Sequence, residues 1–194
     1  MSPDEVVLLI VKDAVKDRKK NSLRGKTLLQ KRGYFLDKIL NLDLDYRAHY
    51  YGPYSPKLEN GLSKTKALGF VKEDALECSG IDPTGIEGRR YDYRLTDAGE
   101  KVVEFVMRKS PDETKKILDA LDRLKDAGDS GDYVSLSIAA KVHHILSKAS
   151  KSMELGEIRE EASKLGWNIS ADQIDNAASL LEKLKLLKLV KKDN

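Results

Sequence analysis

Residue types able to do covalent or metal chemistry are sparse in this chain. Three histidines (His49, His143 and His144) and one cysteine (Cys78) are its only imidazole and thiol candidates for metal ligands or nucleophiles. His143 and His144 are adjacent in a helical pattern and point to different faces, and no Cys/His group has the spacing of a zinc site. Cys78 has no activating neighbour in sequence and reads as an incidental thiol. Asp43 and Asp45 alternate around Leu44 and suit either a cation or a solvated turn, of which the turn is favoured. Gly80, Gly85 and Gly88 do not make a phosphate loop, because no Gly-Lys-Ser/Thr follows and the surrounding pattern is a hairpin. The sequence therefore predicts no enzyme, no metal site and no cofactor.

The basic residues remain. Between Lys12 and Arg32, nine of them (Lys12, Lys16, Arg18, Lys19, Lys20, Arg24, Lys26, Lys31 and Arg32) face only Asp13 and Asp17. Such a run neutralises phosphates and releases counterions, or it is simply a solvated basic face. The net charge of +3 is too small to decide, but all of it lies in residues 1–99, where 18 Lys and Arg meet 15 Asp and Glu. Further along, Ser55, Lys57, Asn60, Ser63 and Lys64 have the types and spacing of a helix that reads a major groove. In that role Asn60 pairs with adenine and the lysines take guanine or phosphate, while Arg89 and Arg90 enter a minor groove from a wing. Tyr50, Tyr51 and Tyr54 either bind a partner or pack beneath a turn.

Elements that would position these residues follow from caps and periodicity. Ser2-Pro3-Asp4-Glu5 opens a first helix ending near Val15. Leu28, Leu29, Phe35, Leu36, Ile39 and Leu40 mark a second over 26–41. Tyr46 to Tyr51 favours extended structure, Gly52-Pro53-Tyr54 turns the chain, and Ser55-Pro56 opens a third helix over 56–68 that buries Leu58, Leu62, Thr65 and Leu68. Residues 70–76 and 91–95 read as strands flanking a glycine-rich wing loop over 77–90. Thr96 and Ser110 cap two further helices that look like a stalk, whose apolar residues Val102, Val103, Phe105, Val106, Ile117, Leu118, Leu121 and Leu124 either join two chains or pack within one. The stretch 126–132 reads as a linker. Beyond it lie helical patterns through Val134, Ile138, Val142, Ile145 and Leu146, then Leu155 to Leu165, and a helix opened by the capping box Ser170-Ala171-Asp172-Gln173, with Leu187 to Val190 as a closing strand. The last helix carries Asp172, Asp175 and Glu182, so it suits a protein contact better than DNA.

Residues Lys26-Thr27-Leu28-Leu29-Gln30-Lys31, Tyr34-Phe35-Leu36, Tyr50-Tyr51-Gly52-Pro53-Tyr54-Ser55-Pro56 and Tyr93-Arg94-Leu95-Thr96-Asp97-Ala98-Gly99 resemble the YwgA-type family of archaeal and bacterial proteins over about residues 4–105. The Panacea antitoxin domains are more distantly similar. The resemblance implies a winged-helix fold, a role in transcriptional regulation or toxin neutralisation, and no catalytic residues. Gly33 within the second helix and the whole C-terminal half depart from that pattern.

The expectation is thus a mainly α, α+β chain: a winged helix-turn-helix domain over 1–99, a helical stalk over 100–127 and a smaller helix-turn-helix-like domain over 132–194. Its expected role is that of a transcriptional regulator, binding duplex DNA as a homodimer through Lys26, Lys31, Arg32, the helix-3 residues and the wing arginines. The alternative is an interaction adaptor or antitoxin-like module that meets a protein partner through Tyr50, Tyr51 and Tyr54. With one cysteine and no apolar run of about 20 residues, a cytoplasmic protein without a membrane span is expected.

Overall fold

The computed structural model describes residues 1–15, 22–81, 87–129, 133–149 and 152–187, with only the backbone described for 76–81 and 87–90. It is mainly helical, with one three-stranded antiparallel sheet near the N-terminus.

Helix α1 (Pro3–Val15) starts at the expected capping box: Ser2 N donates to Glu5 Oε2 at 2.8 Å and Glu5 N to Ser2 Oγ at 3.4 Å. Val6 to Val11 are all buried. A run of six buried residues leaves no solvent face, so α1 is the helix around which the first half is built. Packed on it are β1 (Leu23–Arg24), α2 (Gly25–Leu40), α3 (Pro56–Ala67), β3 (Glu87–Leu95), α4 (Asp97–Lys109) and α5 (Pro111–Ala127). Sequence reasoning missed β1, whose two residues are too few to carry a period. It pairs with β3 through Leu23 opposite Tyr93, and β2 (Val71–Ile81) pairs with the other edge of β3, giving the order β1-β3-β2.

Several expectations change. Strands β2 and β3 are longer than predicted, so Gly80, Gly88, Arg89 and Arg90 belong to strands, not to a wing loop, and residues 82–86 lie outside the description. The expected extended run from Tyr46 to Tyr51 reduces to one antiparallel bridge, Arg47 with Tyr54, closing the Gly52-Pro53 turn. Leu68 is exposed, because α3 ends one residue earlier and Gly69 follows with φ +70°. Helices α4 and α5 fold back: Val103, Val106, Ile117, Leu121 and Leu124 are buried within the chain, α5 packing on α1 and α2. Of the surface expected to join two chains, Phe105 stays exposed.

Helices α6 (Tyr133–Lys148), α7 (Leu155–Lys164) and α8 (Ala171–Lys183) form the second half, with α8 opened by the expected Ser170/Gln173 capping box. Their buried stripe holds the expected Val142, Ile145, Ile158, Ala162, Ile174, Ala177, Leu181 and Leu184 and is wider than expected on α6: Leu136, Ala139, Ala140 and His143 are also inside, while Val134, Leu155 and Leu165 are exposed. The reason is that α6 packs on both α2 and α8 and must bury two faces. The expected closing strand falls mostly on residues 188–190, outside the description.

Candidate functional site

Three consecutive polar residues of α2, Gln30, Lys31 and Arg32, are buried. Each reaches a different segment. The Gln30 amide donates to the Ser55 carbonyl at 3.1 Å and accepts from Ser55 N at 2.9 Å, completing both backbone groups of one residue as a neighbouring strand would. Lys31 Nζ donates to the Pro53 carbonyl at 2.8 Å. Arg32 Nε donates to Asp129 Oδ2 at 2.7 Å, with both side chains buried. From the turn, Tyr46 donates back to the Gln30 carbonyl at 2.7 Å.

Ser55 is fully buried; it donates to the Leu44 carbonyl and accepts from Leu58 N at 2.9 Å, so it caps α3 while tethering the preceding loop. That loop bends through left-handed backbone at Asn41, Asp43 and Asp45 (φ 55°, 55° and 52°), types that tolerate this conformation. Lys31, Arg32 and Ser55 were expected to face nucleic acid. They are buried instead: Ser55 caps α3, Lys31 meets the Pro53 carbonyl and Arg32 meets Asp129, so none of the three faces outward from α3. Of the segment read as a linker, Asp126 and Ala127 end α5 and Asp129 holds Arg32, while residues 130–132 lie outside the described residues.

The outward residues are Lys57, Asn60, Ser63 and Lys64, all exposed along one face of α3. Lys57 Nζ meets Asp43 Oδ2 at 2.8 Å, Lys64 Nζ meets Asp4 at 2.7 Å, and Lys26 Nζ of α2 meets Glu59 at 2.8 Å. Hydrogen bonds to Asp43 and Glu59 hold Lys57 and Lys26 above the usual lysine range. Such solvent-exposed pairs add little to stability, because water screens both charges. The backbones of Arg89 and Arg90 lie opposite Glu77 and Leu76 in the hairpin; their side chains, like Lys16, Arg18, Lys19 and Lys20, are outside the description. The tyrosines separate: Tyr50 and Tyr51 are 70% and 66% exposed with rings edge to face at 4.9 Å, while Tyr54 is half-buried against His49.

The histidine pair is structural in placement. His143 Nδ1 lies 2.8 Å from the Tyr34 hydroxyl, and His144 packs edge-on to Trp167. Burial, with Lys38 and His144 nearby, pushes His143 down to about 4; burial, with Lys148 and Lys38, does the same to His144. Sequence reasoning did not find Tyr34, Lys141 or Trp167 as the joint between the halves, because neither type nor period distinguishes them from ordinary core residues. An open cleft of about 580 Å³ between α6 and α7 is lined by Met153, Lys148, Glu157 and Glu160 among others. Among the described residues, no group of three or more His, Cys, Asp or Glu is placed to hold a metal ion, and no helix is long and apolar enough to cross a membrane. No protein-family model matches the chain, and no curated protein matches it significantly.

Proposed function

We propose that the chain is a winged-helix protein that binds duplex DNA and acts as a transcriptional regulator. The carrying observation is the outward face of α3, where Lys57, Asn60, Ser63 and Lys64 stand together on a helix whose start is locked by Gln30 and Ser55. A recognition helix needs that rigidity, since base readout depends on donors and acceptors held in register with the groove. The order α1, β1, α2, α3, β2, β3, with β1 added to the hairpin edge and β2 packed on α3, supports the winged-helix reading, in which the hairpin serves as the wing. In this role Lys57, Lys64 and Lys26 take phosphates, Asn60 reads a base, and Arg89 and Arg90 extend the contact along the wing.

Fluorescence anisotropy of the protein with its own upstream DNA and with a scrambled duplex tests this across a salt series. Replacing Lys57 and Lys64 by Ala is expected to weaken both complexes and to shallow the salt slope by about 0.9 per lost phosphate contact. Asn60→Ala is expected to erode the preference for the cognate duplex by about 1–3 kcal/mol. Absence of binding to either duplex at low salt removes the DNA reading.

A second reading, an interaction or antitoxin-like module, is favoured by Tyr50 and Tyr51, exposed together beside a rigid turn, since paired exposed aromatics are enriched at protein interfaces. Loss of a partner in pull-downs with Tyr50→Ser/Tyr51→Ser, alongside unchanged DNA behaviour, would select it.

A further inference from the structure

The Gly52-Pro53 turn gathers two lysine side chains. Lys31 is 2% exposed, and the acceptor it meets is the neutral Pro53 carbonyl. Lys141 reaches over the same turn from α6. Its Cγ and Cε lie 3.1 and 3.2 Å from the point that a Cβ on Gly52 would occupy, and Lys31 Nζ lies 3.1 Å from that point. Lys141 Nζ sits 5.6 Å above the centroid of the Trp167 ring, whose indole N–H donates to the His49 carbonyl at 2.9 Å. Among the described residues, no carboxylate pairs with either lysine.

Two neighbouring cations, one of them buried, form an arrangement that folding alone does not favour. Burial and the Lys141 charge depress Lys31 to about 8, in keeping with that conflict. Arg32, the next residue in α2, is buried with a carboxylate; Lys31 is buried without one. We propose that the turn is the floor of an oxyanion site, where a small free ligand of phosphate or carboxylate class sits between the Lys31 and Lys141 ammonium groups. Lys141 is half-buried on a flexible stem whose Cγ and Cε close the space over Gly52, so rotation of its own torsions is what opens the approach to Lys31. Two charge-assisted hydrogen bonds then replace one repulsion. The bound anion would tie α2 to α6, and through them the two halves of the chain. This proposal does not depend on α3 binding DNA.

Isothermal titration calorimetry and thermal melts of the full chain test it with inorganic phosphate and with acetate, sodium chloride holding ionic strength constant. Saturable binding with a rise in Tm is expected for at least one of them, and the anion that gives it defines the class. Lys141→Met is expected to weaken binding about tenfold, the loss of one charge-assisted hydrogen bond, and Lys31→Met to abolish it. Lys115→Met, on an exposed lysine of α5, is expected to leave it unchanged. Should Lys31→Met not fold, Lys141→Met carries the comparison. No binding of either anion, or equal binding to wild type and Lys141→Met, overturns the site.

Discussion

Arg32 stands in a basic run and ends up in the interior. Its guanidinium and Asp129 are taken from water together, and each makes the burial of the other tolerable. Removing one partner leaves an uncompensated buried charge, a larger loss than an exposed pair would give. Asp129→Ala is expected to cost about 3–5 kcal/mol, and Arg32→Met with Asp129→Leu to recover most of that, because an apolar pair has no charge to desolvate. Urea midpoints of the three proteins decide the matter: a cost below about 1 kcal/mol for Asp129→Ala is the value of a solvated pair.

At the scale of elements, the segment Leu95 to Gly99 joins the sheet to α4. Thr96 N donates to the Phe70 carbonyl at 3.0 Å, and the Thr96 hydroxyl donates to the Gly69 carbonyl at 2.7 Å and accepts from Gly99 N at 3.1 Å. The first turn of α4 is thereby drawn onto the end of α3. A Cβ at Gly99 would strike the Phe70 carbonyl oxygen, which is backbone already fixed by Thr96. Gly99→Ala gains about 1 kcal/mol of helix propensity but meets an overpacking cost of about 1–3 kcal/mol or more. Because the struck atom cannot give way, the expected sign is destabilising, visible as a lower Tm. A raised Tm would mean that the turn yields.

For the whole molecule, the α2–α6 contact joins the two halves through Tyr34 and His143, with Lys38 on α2 and His144 and Lys148 on α6 facing the pair. Both histidines are held neutral when folded, at about 4 against an unfolded value of 6.5. In the window between those values the unfolded chain binds the protons and the folded chain does not. Stability is therefore full above pH 6.5 and falls as the pH drops toward 4, by up to about 1.4 kcal/mol per unit for His143 well inside the window and by less for the more solvent-screened His144. Urea unfolding between pH 7 and pH 5 is expected to show this loss, reduced in His143→Gln. A flat profile would mean that the α2–α6 joint takes up protons freely.

Helix boundaries were legible in the sequence to within a residue or so at Ser2, Ser55, Thr96 and Ser170, because a cap bonds to a backbone group three residues away. The exposed face of α3 was legible for the same reason, helical period being a local property. What the sequence did not disclose is the fate of Gln30, Lys31 and Arg32. Their partners lie 25, 22 and 97 residues away, and only the tertiary structure brings those acceptors within reach. Written as a string, Lys31 and Arg32 belong with Lys57 and Lys64 as cations for a phosphate backbone. Folded, the first two are withdrawn and the last two left out, because a cation's role depends on whether a buried acceptor meets it, and nothing within four residues records that.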